Sequence, residues 1–198
     1  MEAPLPLGIV GTVSVEAQEL LSFVLQNLPK NFAQRSSRPS IKGRSIYLGY
    51  MKGKLTKATE TPIGEQLAQM ANRMLVGIDF RWSAIVINIS TQSSKHTDSK
   101  NKGCSIITTI GDYQGGEFQL YGNMEDELPV ETFDLKGGRL LHFDGHRVHA
   151  NAPWVGEQVQ HHLVPARLLR QVQGPHQDLF ARVLGLLAAA LGHGRPWQ

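Results

Sequence analysis

From Trp82 onward the chain is a succession of short runs rich in β-branched and aromatic residues, cut apart by turn residues at close intervals. The runs are Ala84 to Ile89, Ser105 to Ile110, Glu117 to Tyr121, Val130 to Leu135 and Arg139 to Phe143. Asn101-Lys102-Gly103, Gly111-Asp112, Gly115-Gly116, Asn123 and Gly137-Gly138 separate them. Runs of this length bounded by turn residues read as strands, and several of them at regular spacing predict a sandwich or barrel-like roll.

The first part of the chain has a different period. Ser14, followed by Glu16 and Glu19 and by Val15, Leu20, Leu21, Val24, Leu25 and Leu28 at three-to-four spacing, predicts a capped amphipathic helix ending near Pro29. Thr61-Pro62 is an N-cap followed by proline at the first helical position, and Ile63, Leu67, Met70, Ala71, Met74 and Leu75 supply the apolar stripe of a second helix that Gly77 ends. Between them, Arg35 to Ser45 reads as a Ser-, Arg-, Pro- and Gly-rich loop, and Ser45 to Tyr50 as a short strand. The predicted class is mainly β with flanking helices.

With 198 residues and 41% hydrophobic content, one domain with a small appendage accounts for the length. Cys104 is the single cysteine, which excludes an internal disulfide and a thiolate-rich zinc site. Met1 to Val15 lacks the basic start and long apolar core of a secretory signal, and no stretch approaches the roughly 20 apolar residues of a membrane span. A soluble, intracellular protein is expected, in nucleus or cytoplasm. The net charge is +3, unevenly spread: Lys30, Arg35, Arg38, Lys42, Arg44, Lys52, Lys54 and Lys57 fall in a stretch without acidic residues, with Tyr47 and Tyr50 interleaved. Such a block either contacts the phosphates of a nucleic acid, with Arg35, Arg38, Lys42, Arg44, Lys52 and Lys54 as the contacts, or is a solvated basic surface.

His96-Thr97-Asp98 carries the chemistry. Imidazole and carboxylate two residues apart on an extended segment point the same way, and with one distant histidine they make the ligand set that holds non-haem Fe(II) by one face. His142, His146 and His149 are the candidates for that third ligand.

Around these residues the chain reads His96-Thr97-Asp98-Ser99-Lys100-Asn101-Lys102-Gly103, then Gly115-Gly116-Glu117-Phe118, then Phe143-Asp144-Gly145-His146-Arg147-Val148-His149, then Pro153-Trp154-Val155-Gly156-Glu157. This order and spacing resembles the Fe(II)/2-oxoglutarate-dependent dioxygenase superfamily over about residues 82–157, and within it the TET and J-binding-protein type enzymes, which oxidise methyl groups on DNA bases. The resemblance implies a double-stranded β-helix of jelly-roll, cupin-like type, with Fe(II), 2-oxoglutarate and O2 as cofactor and cosubstrates. It implies His96, Asp98 and His149 as iron ligands, because Pro153 and Gly156-Glu157 stand at the family's distances from His149 and not from His146. Asn88, on the strand before the HxD segment, takes the place of an asparagine that bonds the cosubstrate carboxylate in some relatives, or else is satisfied by backbone at a strand end. Phe143 and Trp154 read as core packing.

Gln158 departs from the pattern, since the family has arginine there, paired with the distal carboxylate of 2-oxoglutarate. Gln158 to Val164 is also a poor core strand. Two readings stand. The strand is divergent, or a one-nucleotide shift of reading frame falls near Gln158, since the codons of these seven residues read from their second nucleotide permit Arg-Tyr-Ser-Ile-Thr-Leu-Phe. The expected organisation is a dioxygenase-like domain over 1–165, with its β-helix core over about 82–165 and a helical and basic part over 1–81, followed by a helical tail over 166–198. The expected function is hydroxylation of a C–H bond, of a nucleobase in DNA or RNA. The alternatives are a degenerate metal-binding domain without turnover and a prolyl-hydroxylase-like protein oxygenase.

Overall fold

The computed structural model describes residues 5–29, 31–35, 39–51, 54–101, 103–156 and, for the backbone, 159–165. All lie in the first of the two units into which the chain divides, Met1–Arg167. After a first strand, β1 (Gly8–Thr12), the Ser14 hydroxyl accepts the Ala17 N–H at 3.2 Å and starts α1 (Val15–Gln26). The segment read as a loop instead contributes β2 (Gln34–Arg35) and the first residues of β3 (Ile41–Met51), which pair with each other. Its serine and arginine content disguises an edge strand, where one face stays in water. A short β4 (Lys54–Leu55) turns back on β3. Thr61 then caps α2 (Pro62–Met74), with Pro62 in the first turn as expected.

The runs after Trp82 are strands. They form β5 (Trp82–Ser93), β6 (Ser105–Ile110), β7 (Tyr113–Gly115), β8 (Phe118–Tyr121), β9 (Glu131–Phe133) and β10 (Arg139–Phe143). Beyond them lie β11 (Val148–Asn151), β12 (Trp154–Gly156) and β13 (Val159–Pro165). An eight-stranded sheet contains the order β1-β10-β6-β13-β5-β3-β2, faced by the smaller sheets β11-β8-β9 and β12-β7. The segment that reads as a poor core strand is thus placed at the centre of the large sheet, antiparallel to both β5 and β6.

Two apolar layers follow from the alternation of side chains along these strands. On one face Ile46, Leu48, Ile85, Ile87, Ile106, Ile110 and Leu140 pack with Leu21 of α1 and with Leu67, Met70, Ala71 and Met74 of α2. At 12 residues α1 is too short to be stable alone, so docking holds it, each buried Leu or Ile contributing about 1.5–3 kcal/mol. On the other face Ile107, Leu141 and Phe143 meet Phe118 and Leu120 of the smaller sheet. The result is a jelly-roll of facing sheets with helices outside it. Gly115 makes the closest passage: its φ is +77° and a Cβ there would lie 2.4 Å from the Pro153 carbonyl oxygen, so only glycine lets β7 and β12 approach.

Candidate metal centre

The site begins with a defect in β5. Between β3 and β5 the register slips, Lys42 facing Gln92 and Arg44 facing Ile89, and Ser90 takes a positive φ of 49°. Gly43 presses against this bulge: a Cβ would meet Thr91 Cγ2 at 2.5 Å and the Ser90 carbonyl oxygen at 2.8 Å. A bulge of this kind re-aims the strand beyond it. Here it carries Ser93, which is buried, and then His96, which is half-buried, toward His149.

His96 lies outside any strand, in an isolated bridge with His149 of β11, each donating its backbone N–H to the other's carbonyl at 3.0 and 2.9 Å. Two residues on, the Asp98 N–H donates to the Gly145 carbonyl at 2.8 Å. These contacts tie the HxD segment to the chain around β11 at two points. One nitrogen each of His96 and His149 and one carboxylate oxygen of Asp98 all lie within 4.8 Å of one another. Asp98 and His149 are 5% and 4% exposed, and His96 is half-buried.

Hydrogen bonds fix which imidazole nitrogen faces the centre. His96 Nδ1 lies 2.7 Å from the Ser94 carbonyl oxygen and 3.2 Å from Ser93 Oγ, and His149 Nδ1 lies 2.8 Å from the Arg147 carbonyl oxygen. A carbonyl only accepts, so Nδ1 of both rings carries the proton and Nε2 carries the lone pair a metal needs. The rings stand 4.3 Å apart between centroids, at 56°. Phe118 stacks on His149 at 5.5 Å and 30°, and Phe143 meets the same ring edge-on at 5.3 Å. Both phenylalanines are buried, and they wall the ligand side against water. Asn101 Nδ2 approaches Asp98 Oδ2 at 3.4 Å and donates to Ser105 Oγ at 3.2 Å.

The rival histidines point elsewhere. His146 is half-exposed and paired with Asp144 at 2.9 Å, and the N–H and ring of His146 hold the Asp144 carboxyl below the usual carboxylate range. His142 is buried, but its Nδ1 bonds the Pro6 carbonyl at 2.9 Å and its ring meets Phe80, on the helix side of the sheet. Asn88 stands in mid-strand, buried, its Oδ1 accepting the Ser45 hydroxyl at 2.7 Å. In register it faces Gln160 of β13, as does Thr109 of β6, whose hydroxyl bonds that of Tyr113. Trp154 donates from Nε1 to the Thr91 carbonyl at 3.3 Å.

Gln158, Arg38, Lys30 and Lys52 lie outside the described residues. Arg35, Lys42, Arg44 and Lys54 are all exposed on or beside β3. Ser94 and Arg147, which orient the two rings, carry no signal in the sequence, because they act through carbonyls that every residue has. Lys95 acts through its side chain instead: its ammonium lies 4.4 Å over the Tyr121 ring and bonds the Asp126 carbonyl, fastening the turn after β8 to the HxD segment. Among the described residues no helix is long and apolar enough to cross a membrane.

No protein-family model and no curated protein matches the sequence. The fold is similar to that of NgTET1 in complex with 5mC DNA, with a TM-score of 0.54 and 12% identity over 86% of this chain and 77% of that one. It is similar to a Pseudomonas putida prolyl-4-hydroxylase, with a TM-score of 0.50 and 11% identity over 81% and 91%. It is similar also to OsALKBH1, with a TM-score of 0.51 and 10% identity over 83% and 99%. The jelly-roll expected from the motifs is thus met by the fold, with His96, Asp98 and His149 brought together in it.

Proposed function

We propose that this chain is an Fe(II)- and 2-oxoglutarate-dependent oxygenase that hydroxylates a C–H bond. One observation carries the reading: two imidazoles with Nδ1 committed to carbonyls, and one carboxylate, present their ligand atoms within 4.8 Å of one another. The donor set fits Fe(II), which accepts nitrogen and oxygen ligands together on one face. When bound, Fe(II) supplies with 2-oxoglutarate and O2 the oxidising chemistry that protein side chains lack. The chain's own work is positioning. Ser94 and Arg147 hold the rings in the metal-ready tautomer, the backbone bridge fixes their separation, and Phe118 and Phe143 exclude water behind them.

For the cosubstrate, Asn88 and Gln158 are the proposed contacts. Asn88 and Thr109 stand on the strands flanking β13, bonded to the Ser45 hydroxyl of β3 and the Tyr113 hydroxyl of β7, and these buried groups are of the type that holds a carboxylate. An amide at Gln158 hydrogen-bonds such a group without neutralising it. That departure favours a second reading, a metal-binding domain derived from an oxygenase and without turnover.

Succinate formed from 2-oxoglutarate under O2 with added Fe(II), measured for the full chain against His96→Ala, separates the two. Succinate above the variant's level supports the oxygenase. Fe(II) binding that depends on His96 without succinate supports the second reading, and Fe(II) binding unaffected by His96→Ala removes both. A nucleobase is the substrate class that the chain's charge favours over a prolyl side chain.

A further inference from the structure

We infer that Arg35, Lys42 and Arg44 form the track for the backbone of a single-stranded nucleic acid, and that Lys54 and Lys57, though part of the same basic run, do not. In sequence these residues are one block. The strand that carries them pulls the block apart. β3 runs from Ile41 to Met51, and Lys54 pairs with Met51 at its far end. The seven steps along the chain from Arg44 to Met51 span about 23 Å of extended strand, so the two groups stand at opposite ends of β3.

The near end is the one that meets the metal centre. Ile41 faces Ser93 and Lys42 faces Gln92, so β3 begins where β5 delivers its chain to the triad. The Ser94 N–H donates to the Ser40 carbonyl at 2.9 Å, and the Ser94 carbonyl accepts from His96 Nδ1 at 2.7 Å. Two hydrogen bonds therefore connect the root of the basic strand to the ring of a ligand.

Arg35 of β2 stands directly opposite Arg44 of β3 on the outermost pair of the sheet. Like charges at opposed positions of an antiparallel pair repel, and their Cα atoms stand only about 4.5–5.5 Å apart. Among the described residues the ion pairs are His146–Asp144 and Arg147–Glu131, so no described carboxylate offsets this pair or Lys42. All three are exposed. An anion bound between the guanidinium groups relieves the repulsion, and a planar fork suits phosphate oxygens two at a time. Lys42, two residues from Arg44 on the same strand and about 7 Å away, meets a neighbouring phosphate of a repeating polyanion. Asp98 and His149 are almost wholly buried, so a base reaching them must leave its stack, which a single strand allows at least cost.

This inference rests on the oxygenase reading only for what becomes of the bound nucleotide. The test measures binding alone. A fluorescein-labelled single-stranded DNA of mixed sequence, about 12 nucleotides long, is titrated with the full chain without Fe(II), at salt from about 50 to 200 mM. Arg35→Ala/Arg44→Ala should weaken binding roughly tenfold and lower the slope of log affinity against log salt by about 1.4, for two lost contacts at about 0.7 each. Lys54→Ala/Lys57→Ala should change affinity less than about twofold, and Arg35→Lys/Arg44→Lys should keep most of the salt slope, which separates lost contacts from lost folding. The inference is overturned by a wild type that does not bind at the lowest salt, by equal losses in the two alanine pairs, or by an arginine pair that behaves as wild type. Arginine-dependent binding of an acidic peptide in place of the oligonucleotide overturns the partner. Binding that follows the expected pattern in a chain that makes no succinate leaves this inference standing and removes the oxygenase reading alone.

Discussion

His96 and His149 exchange backbone hydrogen bonds in both directions, 3.0 and 2.9 Å, while their rings stand 4.3 Å apart. The separation of two ligands that are far apart in the chain is therefore set by the main chain, and the side chains are left to choose the ion. Structure and metal affinity are separable for this reason.

Replacing either ring should leave the bridge in place. His96→Ala and His149→Ala are each expected to lower Fe(II) affinity by more than about 100-fold, beyond the loss of an outer hydrogen-bond partner. Thermal unfolding of the metal-free chain should shift by less than about 4 °C for His96→Ala, which removes about 1 kcal/mol of packing at most. Anaerobic titration and a melting curve read the two effects.

His146→Gln should do the reverse at the site, leaving Fe(II) affinity within about twofold of wild type. Its effect falls on Asp144, whose carboxyl His146 holds low through its N–H, then its ring. A carboxyl with a lowered folded value stabilises the fold above the ordinary carboxylate range and loses that contribution as pH falls through the folded value. The contribution is small, because the pair is half-exposed. Carboxyl NMR titration of the variant should find Asp144 raised toward its ordinary value.

Gly43→Ala combines a φ of +133° with a Cβ 2.5 Å from Thr91 Cγ2 and 2.8 Å from backbone. Neither strain has a cheap relief. The cost is expected to exceed about 2 kcal/mol by urea unfolding, and Fe(II) affinity should fall with it because the bulge delivers His96. Gly137→Ala is the control: its φ is +69° and nothing lies within 4 Å, so it should cost only about 1 kcal/mol and leave Fe(II) binding unchanged.

Phe143→Ala removes a ring that is 2% exposed and touches both Phe118 and His149. Loss of about 3–5 kcal/mol of stability is expected from the cavity. Phe143→Leu should recover more than half of it, measured in the same urea series.

Gln158→Arg is expected to tighten 2-oxoglutarate binding by about tenfold or more, since a guanidinium both bonds and neutralises a carboxylate. Isothermal titration of the Fe(II)-loaded variant checks it. Sequencing the transcript decides the reading-frame question. Backbone register places His161 opposite Ile87 and Thr108, and Leu163 opposite Ile85 and Ile106. The alternative frame puts Ile in place of His161, between Ile87 and Thr108, and keeps Leu at 163, between Ile85 and Ile106. A chain carrying Arg-Tyr-Ser-Ile-Thr-Leu-Phe over 158–164 should melt higher than this one.

What the sequence makes legible is whatever is written in side chains with a period or a motif. The caps at Ser14 and Thr61, the stripes of the two helices and the strands Ser105–Ile110 and Arg139–Phe143 are of this kind. The edge strands are not, because β2 and the start of β3 expose Arg35, Lys42 and Arg44 and so read as a loop. At the centre, His96, Asp98 and His149 announce themselves by residue type, but the carbonyls of Ser94 and Arg147 that turn the rings have no letter of their own. The basic run misleads in the other direction. It is continuous in sequence and divided in space, because an eleven-residue strand runs through it.

The central place of β13 has a consequence for how the molecule is made. β5 and β6 hydrogen-bond to β13 and not to each other, so each presents an unsatisfied edge until the ribosome has delivered the segment that separates them. During synthesis the nascent chain holds a gap in its principal sheet that an extended peptide can fill, the kind of open edge through which partly made sheets associate.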